Sequence, residues 1–253
     1  MIRLDAATLL LQWATGGLAF LWVTARRQVV GLGYGWLLRF SYAVLALGGF
    51  AAARFANGST AVGLASLAVA LVALAVTGVA VRNRREGIAA VSARLDLLAP
   101  AIGVVGLVVA AGANGGPYAL ALLRLVVGAA FLGVVSDAML LGHWYLVQPG
   151  LERGPLLELV RWLALIWPAE VAVMLLPIGM VSVFTGSVDD GWNGLLGWMW
   201  LVCAVTTIGL CAVTRAALRE RQYAAVMAAT GLLYLAILTA LGQDLVARAV
   251  LSG

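Results

Sequence analysis

The chain has no lysine, a single histidine (His143), two cysteines and few charged residues of any kind. The absence of lysine excludes a retinal Schiff base and every other imine formed on a lysine amine. One histidine cannot supply both axial ligands of a bis-histidine haem, nor a histidine-rich metal site. Charged residues make up 11% of the chain, whereas a soluble domain carries roughly 25%. So little charge is typical of a protein whose surface faces lipid.

Long apolar runs take the place of the missing charge. Hydrophobic residues make up 64% of the 253 residues, and the mean hydropathy is +1.04. A helix needs about 20 apolar residues to cross a bilayer, and helices satisfy their own backbone groups there. We therefore predict an all-α integral membrane protein with eight transmembrane helices, separated by turns rich in Gly, Pro and Asn. The predicted spans are Ala7–Thr24, Trp36–Ala56, Ala61–Val81, Leu97–Ala113, Ala119–Val147, Leu156–Thr185, Leu195–Thr214 and Tyr223–Leu241.

The arginines predict the direction of these spans. If the first, third, fifth and seventh connections are cytoplasmic, twelve arginines lie there or at the adjoining helix ends and four lie opposite. The positive-inside rule then places both termini on the non-cytoplasmic side. We expect a multi-pass protein of a bacterial inner (cytoplasmic) membrane, with membrane lipid and no nucleic acid as a partner. The four exceptions are Arg3, Arg54, Arg124 and Arg248.

Two short matches indicate an internal repeat. The pattern G-L-x-x-G-x-L-L occurs at Gly31–Leu38 and again at Gly150–Leu157. The pattern R-x-x-x-x-A-A-V occurs at Arg84–Val91 and at Arg219–Val226. Each pair occupies equivalent positions in the two halves of the chain. We predict a 4+4 parallel repeat of two four-helix bundles, residues 1–117 and 118–253, within one membrane domain and without a soluble domain.

The candidate functional residues are polar or aromatic groups within the predicted spans. Asp137 and His143 lie in the cytoplasmic half of the fifth span, followed by Trp144 and Tyr145. Glu170 is predicted near the middle of the sixth span. Charged groups in lipid are expensive and usually face a bundle interior. The cytoplasmic ends of the second and sixth spans carry Arg39 and Arg161.

Two interpretations of these residues remain open. In the functional one, Asp137, His143 and Glu170 accept protons along a path, or surround a quinone head group with Trp144 and Tyr145 as a flat aromatic wall. In the structural one, the acids pair with arginines of neighbouring helices, and His143 and its aromatic neighbours belong to the interfacial belt. Arg39 and Arg161 would then snorkel from helix ends. Glu158 and Arg161, three residues apart, would pair locally.

We expect a membrane subunit of a respiratory or other electron-transfer complex, which supports quinone contact or proton movement and has no active site of its own. Because the connections are short, a flavin, nucleotide or iron–sulfur cluster would belong to another chain of a hetero-oligomer. The sequence specifies no cofactor, but a noncovalent quinone or lipid is compatible with it. In architecture the chain is similar to the quinol-interacting membrane subunits of the polysulfide-reductase type and to the non-haem subunit of bd oxidases, without a sequence motif of either.

Two other functions fit the sequence. A small secondary transporter would use the repeat, the proline-broken sixth span and Glu170. A scaffold or assembly subunit would use the apolar, small-residue helices as a partner-binding surface. The outer-loop pair Asp189 and Asp190 is a weak signal for a cation site, and we expect a solvated loop there.

Overall fold

The protein, described by a computed structural model, is helical and has no strand in residues 5–56, 58–86, 92–113, 117–177 and 179–251, which are the ones the structure describes. Ten helices follow one another along these ranges. Two of them, α4 and α8, are single turns. The helices are α1 Ala6–Ala25, α2 Leu32–Phe55, α3 Thr60–Arg85, α4 Ser92–Leu95, α5 Leu98–Gly112, α6 Tyr118–Val147, α7 Gly154–Leu175, α8 Val181–Phe184, α9 Leu195–Ala217 and α10 Tyr223–Leu251.

Six of the described helices are long and apolar enough to cross a membrane, namely α1, α2, α3, α6, α9 and α10. The helices at the other two predicted spans differ from them. Helix α5 has 15 residues, a length of about 22 Å against an apolar thickness of about 30 Å. Helix α7 has 22 residues but carries Glu158, Arg161 and Glu170. The chain is thus a helical, multi-pass membrane protein, and the count of eight crossings stays a prediction.

The local sequence explains where several helices begin. Asp5 accepts hydrogen bonds from the backbone N–H groups of Ala7 and Thr8 at 3.1 and 3.3 Å, so it caps α1. Ser59 does the same for α3 through the N–H of Val62 at 3.5 Å. Pro155 occupies the first turn of α7, where a missing N–H leaves no helical bond unmade.

Helices α1 and α6 pack against each other at the centre of the bundle. Their backbones touch at glycines: a Cβ added to Gly16 would lie 1.7 Å from the carbonyl oxygen of Ala129. A Cβ added to Gly133 would lie 2.2 Å from the carbonyl carbon of Gly16. Helices α2 and α5 pack against α1, while α7 and α10 pack against α6. Small residues therefore allow the two central helices to approach more closely than larger side chains would.

The outward surface of the bundle is apolar. Large side chains such as Phe40 on α2, Val105 on α5, Leu165 on α7 and Leu238 on α10 are exposed. Apolar surface of this extent is far more than a soluble monomer presents to water. Lipid contact explains it.

The predicted sixth span, Leu156–Thr185, is wrong at its end. Helix α7 stops at Leu175, and a loop that contains α8 leads on to α9. Pro177 has no N–H and disfavours a helical conformation in the residue before it, so Leu176 is extended with ψ 148°. Glu170 therefore lies about a turn and a half from the end of α7 and not at its middle.

Helix α10 extends beyond the predicted eighth span, Tyr223–Leu241, to Leu251. The extension contains Asp244 and Arg248, which form an ion pair of 2.6 Å on one face of the helix. Pairing at this spacing supports the helix through a polar stretch that hydropathy alone would assign as its end.

The structure describes only part of the proposed internal repeat: residues 87–91 of the Arg84–Val91 match lie outside the described residues.

Candidate functional site

The first buried polar cluster surrounds Asp137 on α6. Asp137 is 0% exposed, and its Oδ1 accepts a hydrogen bond from the Tyr42 hydroxyl of α2. The Tyr34 hydroxyl, also on α2, donates to the backbone carbonyl of Asp137 at 3.3 Å. The other carboxylate oxygen, Oδ2, is buried without a hydrogen-bond partner. That oxygen is available to a proton or a water molecule.

Trp13 and Ser136 extend this cluster across the contact between α1 and α6. The indole N–H of Trp13 donates to Ser136 Oγ at 2.7 Å. The Ser136 hydroxyl in turn donates to the backbone carbonyl of Leu132 at 2.6 Å. These side chains connect α1, α2 and α6 through polar contacts in an otherwise apolar interior. We call the following five residues the Asp137 cluster: Trp13, Tyr34, Tyr42, Ser136 and Asp137.

The second buried polar cluster lies nearer the opposite end of the bundle, where α1 and α6 begin and α7 and α10 end. Glu170 is 0% exposed, and neither of its carboxylate oxygens has a hydrogen-bond partner. It lies within electrostatic range of Asp244 and Arg248 on α10 and of Arg124 on α6. Arg248 binds Asp244 through N–H···O contacts of 2.6 and 3.0 Å. With Gln12, these four residues form the Glu170 cluster.

A glycine provides the space for this second cluster. The side-chain amide of Gln12 on α1 reaches Asp244 Oδ1 at 3.5 Å, and Gln12 Oε1 is buried without a partner. A Cβ on Gly128 would lie 2.5 Å from Gln12 Nε2, 2.9 Å from Arg248 Nη2 and 3.0 Å from Asp244 Oδ1. Any side chain at position 128 would therefore push these polar groups apart.

Arg124 joins the same region to the end of α7. Its guanidinium donates to the backbone carbonyls of Val173, at 3.0 Å, and Leu176. Carbonyls in the last turn of a helix have no intrahelical donor, and a cation satisfies them well. Arg124 thus closes the end of α7 just beyond Glu170.

Arg39 and Asp96 form a buried ion pair at the other end of the bundle, which carries the α1–α2 loop. Arg39 is 4% exposed, and it donates to both carboxylate oxygens of Asp96 at 2.7 and 2.9 Å. Arg39 does not snorkel, as the structural interpretation would have it, because a bidentate partner on the segment before α5 allows its burial. The remaining nitrogen, Nη1, is buried without a hydrogen-bond partner.

A cavity of about 370 Å³ adjoins this ion pair. Its walls are Tyr34, Gly35, Arg39 and Asp96, apolar side chains of α1 and α2, and the loop between those helices. Tyr34 belongs to this wall and also binds the carbonyl of Asp137. The cavity is therefore one residue away from the Asp137 cluster.

The structure separates the other predicted residues on α6 from Asp137. His143 is exposed, and its Nδ1 lies 3.2 Å from the Tyr234 hydroxyl of α10. Tyr145 is buried, and its hydroxyl donates to the carbonyl of Glu152 in the next loop. Trp144 is half-buried, and its ring centroid is 6.0 Å from that of Tyr34, a member of the Asp137 cluster.

Arg161 is exposed on α7, as expected of a residue at the bundle surface. The predicted local pair between Glu158 and Arg161 does not form. Glu158 instead binds Arg26 and Arg27 of the α1–α2 loop, each at 2.8 Å. This ion-pair group joins the two predicted halves of the chain at their arginine-rich end.

The loop before α9 contains Asp189 and Asp190, which differ sharply in exposure. Asp189 is exposed, whereas Asp190 is 5% exposed, so the expectation of a solvated loop is wrong for Asp190. Its carboxylate accepts hydrogen bonds from the backbone N–H groups of Gly194 and Trp192, both at 2.9 Å, and of Leu196 at 3.0 Å. These donors, Gly194 first, lower the pKa of the Asp190 carboxyl below its usual value. Asp190 holds the entry to α9 in place.

Most partners of the predicted acids and of Arg39 were not predicted from the sequence. Tyr34, Tyr42 and Asp96 sit beside apolar runs where nothing marks them as neighbours of Asp137 or Arg39. Asp244 and Arg248 did carry a signal, because an oppositely charged pair four residues apart is typical of one helix face. Gln12 carried a weaker one as a lone polar residue among leucines. The missed residues of the two clusters and of the ion pair at the cavity are Gln12, Trp13, Tyr34, Tyr42, Asp96, Arg124, Ser136, Asp244 and Arg248.

No three His, Cys, Asp or Glu side chains of the described residues converge in a way that would hold a metal ion. The candidate site consists of two buried acids, their polar partners and the cavity beside Arg39. Comparison of the chain with protein-family models, with curated proteins and with solved structures finds no match.

Proposed function

We propose that this chain is a membrane subunit of a respiratory or other electron-transfer complex, and that its part is to move protons between the two ends of the bundle. The observation that carries the proposal is that Asp137 and Glu170 are both 0% exposed, and that one carboxylate oxygen of Asp137 and both of Glu170 have no hydrogen-bond partner. Buried acids are costly and are rarely left unpaired in lipid without a function. A proton carrier needs an oxygen of this kind.

The two clusters share the contact between α1 and α6, which supports a single path. Gly128 beside the Glu170 cluster and Asp137 stand about 14 Å apart along the axis of α6. Two adjacent residues of α1 connect the clusters. Gln12 belongs to the Glu170 cluster, and Trp13 belongs to the Asp137 cluster, where its indole N–H donates to Ser136 at 2.7 Å. Protons would pass from the Glu170 cluster along this contact to Asp137 and the tyrosines around it.

The architecture that we propose for this role has eight crossings in two parallel four-helix halves. Packing supports it: α1, α2, α3 and α5 close a ring of contacts, and α6, α7, α9 and α10 close a second ring in the same order. The shorter α5 and the charged α7 both expose large apolar side chains, Val105 and Leu165. Exposure of that kind is expected of helices that face lipid.

Orientation follows from the arginines. With the arginine-rich end in the cytoplasm and both termini outside, Asp137 lies on the cytoplasmic side and Glu170 on the other. Electrons for the chemistry would enter from a partner chain. Asp137, Tyr34 and Tyr42 would exchange protons on the side where that chain's reaction occurs.

The experiment starts with native extraction in mild detergent and mass spectrometry of the bound proteins. We expect redox subunits to copurify, and a chain that is isolated alone contradicts the membership in a complex. The complex is then reconstituted in liposomes, and proton uptake coupled to quinone-linked turnover is followed with a pH-sensitive dye. Asp137→Asn and Glu170→Gln are each expected to lower it at least tenfold.

Matched controls separate a proton path from loss of surface charge. Asp189→Asn and Glu152→Gln make the same chemical changes at exposed positions and should leave proton uptake unchanged. Because groups in series fail together, the double variant should be no slower than the slower single variant. Full activity in Asp137→Asn and Glu170→Gln would overturn the proposal and favour an assembly role.

A secondary transporter is the second candidate. Its supporting observation is that the Glu170 cluster draws residues from α1, α6, α7 and α10, across both proposed halves, which is where transporter sites commonly lie. The same liposomes distinguish the two functions. Proton flux through the purified chain alone, at a rate independent of any redox partner, would favour the transporter over the electron-transfer subunit.

A further inference from the structure

The cavity beside Arg39 has the features of a built binding site. Its volume of about 370 Å³ is within the range of small-molecule pockets. The lining has an apolar part, with Leu21, Val30 and Leu32 among its side chains, and a polar part, Tyr34 and the Arg39–Asp96 pair. A ligand with an apolar body and one polar edge would match both parts.

One buried donor of a residue that lines this cavity has no partner. Arg39 Nη1 has no hydrogen-bond acceptor, although Arg39 is 4% exposed. A Cβ added to Gly35, which also lines the cavity, would lie 3.1 Å from Nη1. Any side chain at position 35 would therefore crowd this nitrogen. Leaving a charged donor unpaired in an apolar interior is costly, so an acceptor from a ligand would offset the cost.

The net charge of the Arg39–Asp96 pair favours a neutral acceptor over an anionic one. Asp96 already binds Arg39 through both carboxylate oxygens, at 2.7 and 2.9 Å, and makes the pair neutral overall. An anionic ligand would meet the Asp96 carboxylate as well as the guanidinium. A neutral carbonyl oxygen accepts from Nη1 without that repulsion.

We propose that this cavity binds a quinone ring, with one ring carbonyl accepting a hydrogen bond from Arg39 Nη1 and the ring lying between Tyr34 and the apolar part of the lining. The proposal rests on the proposed function and names a ligand for the arginine-rich end of the bundle. Tyr34 lines the cavity and donates to the backbone carbonyl of Asp137, so one residue separates the ring from the residue whose carboxyl group would exchange protons. The ring centroid of Trp144 is 6.0 Å from that of Tyr34.

The test measures binding and not turnover. The purified full chain in lipid nanodiscs is titrated with menadione and with a short-chain ubiquinone, and binding is read by calorimetry. Ala25→Leu adds bulk to the cavity wall without touching the ion pair, and Gly35→Ala covers Nη1 with a methyl group. Each is expected to weaken binding at least tenfold, whereas Ala75→Leu, the same change at an exposed position of α3, should bind as wild type does.

Ligand charge distinguishes a quinone from a lipid head group. A sulfonated naphthoquinone should bind at least tenfold more weakly than menadione, because the Arg39–Asp96 pair is neutral. A phospholipid that mass spectrometry finds bound, that menadione does not displace and that Ala25→Leu releases would overturn the proposal. So would unchanged affinity in both Ala25→Leu and Gly35→Ala.

Asp137→Asn separates this inference from the proton path. It leaves the cavity walls intact, so the variant should bind menadione with wild-type affinity even where proton uptake is lost. Wild-type menadione binding together with normal proton uptake in Asp137→Asn would refute the proton path and support the quinone site. If the wild-type chain does not bind menadione, the quinone site is refuted, and the proton path is not affected.

Discussion

At the scale of single residues, this protein is notable for polar atoms that are buried and unpaired. Asp137 Oδ2, both oxygens of Glu170 and Arg39 Nη1 all lie in the interior without hydrogen-bond partners. Each belongs to a group whose other contacts are well made or whose neighbours are charged. The surrounding helices hold these atoms in place, and a proton, a water molecule or a ligand would complete them.

Replacement of Tyr42 tests this arrangement for Asp137. Tyr42→Phe removes the hydroxyl that donates to Asp137 Oδ1 and leaves the ring in place. The carboxyl group then loses its side-chain donor, so we expect a loss of about 1–3 kcal/mol in the free energy of unfolding. Thermal unfolding in detergent measures it. Tyr118→Phe, at an exposed tyrosine, is the control and should leave the midpoint unchanged; equal midpoints for both variants would contradict the prediction.

At the scale of helices, the contact between α1 and α6 organises the bundle. Gly16 and Gly133 meet backbone atoms of the opposite helix, so these helices pack without side chains between them at that point. The same contact brings Trp13 within 2.7 Å of Ser136 and Gln12 within 3.5 Å of Asp244. Close packing of the backbones therefore sets the geometry of both polar clusters.

Gly133→Ala tests this contact. The added methyl group would lie 2.2 Å from the Gly16 carbonyl carbon, so the helices must separate, and we expect a loss of about 3 kcal/mol or more. Gly231→Ala is the control, because a Cβ there meets nothing within 4 Å. In a helix that change should be neutral or stabilising by up to about 1 kcal/mol. Unfolding midpoints in detergent compare the two, and a Gly133→Ala protein as stable as wild type would refute the prediction.

At the scale of the whole molecule, two of the contacts between the proposed halves differ in burial. The first is the glycine contact at the centre, with Gly16 on one side and Gly133 on the other. The second is the ion-pair group of Glu158 with Arg26 and Arg27 at the arginine-rich end. The central contact is buried, whereas the arginines of the ion-pair group are half-exposed and contribute little. Association of the halves is therefore expected to depend on the glycines.

A divided chain tests this dependence. Residues 1–115 and 116–253, expressed together as two polypeptides, should copurify through an affinity tag on the first. Gly133→Leu in the second polypeptide should abolish copurification, because no leucine fits against the Gly16 backbone. Gly231→Leu, at an open position of α10, should not. Copurification that survives Gly133→Leu would show that other contacts hold the halves together.

The sequence by itself determined the class of the protein and most of its helices. Apolar runs of spanning length, scarce charge and turn residues are local properties, so they placed α1, α2, α3, α6 and α9 to within a few residues and the start of α10 at Tyr223. The errors came where local signals conflict. Pro177 ended α7 inside an apolar run, and the Asp244–Arg248 pair continued α10 through a polar one.

Only the tertiary structure decided which polar residues meet. Tyr42 and Asp137 stand 95 residues apart in the sequence, and Arg39 and Asp96 stand 57 apart. Their pairing depends on how each helix is rotated and where it crosses its neighbours, and hydropathy contains no record of either. His143 shows the same limit, since it lies six positions after Asp137 yet faces Tyr234 at the surface. Composition determines that the helices lie in lipid, whereas close packing at a few glycines determines which polar residues meet in the interior of the bundle.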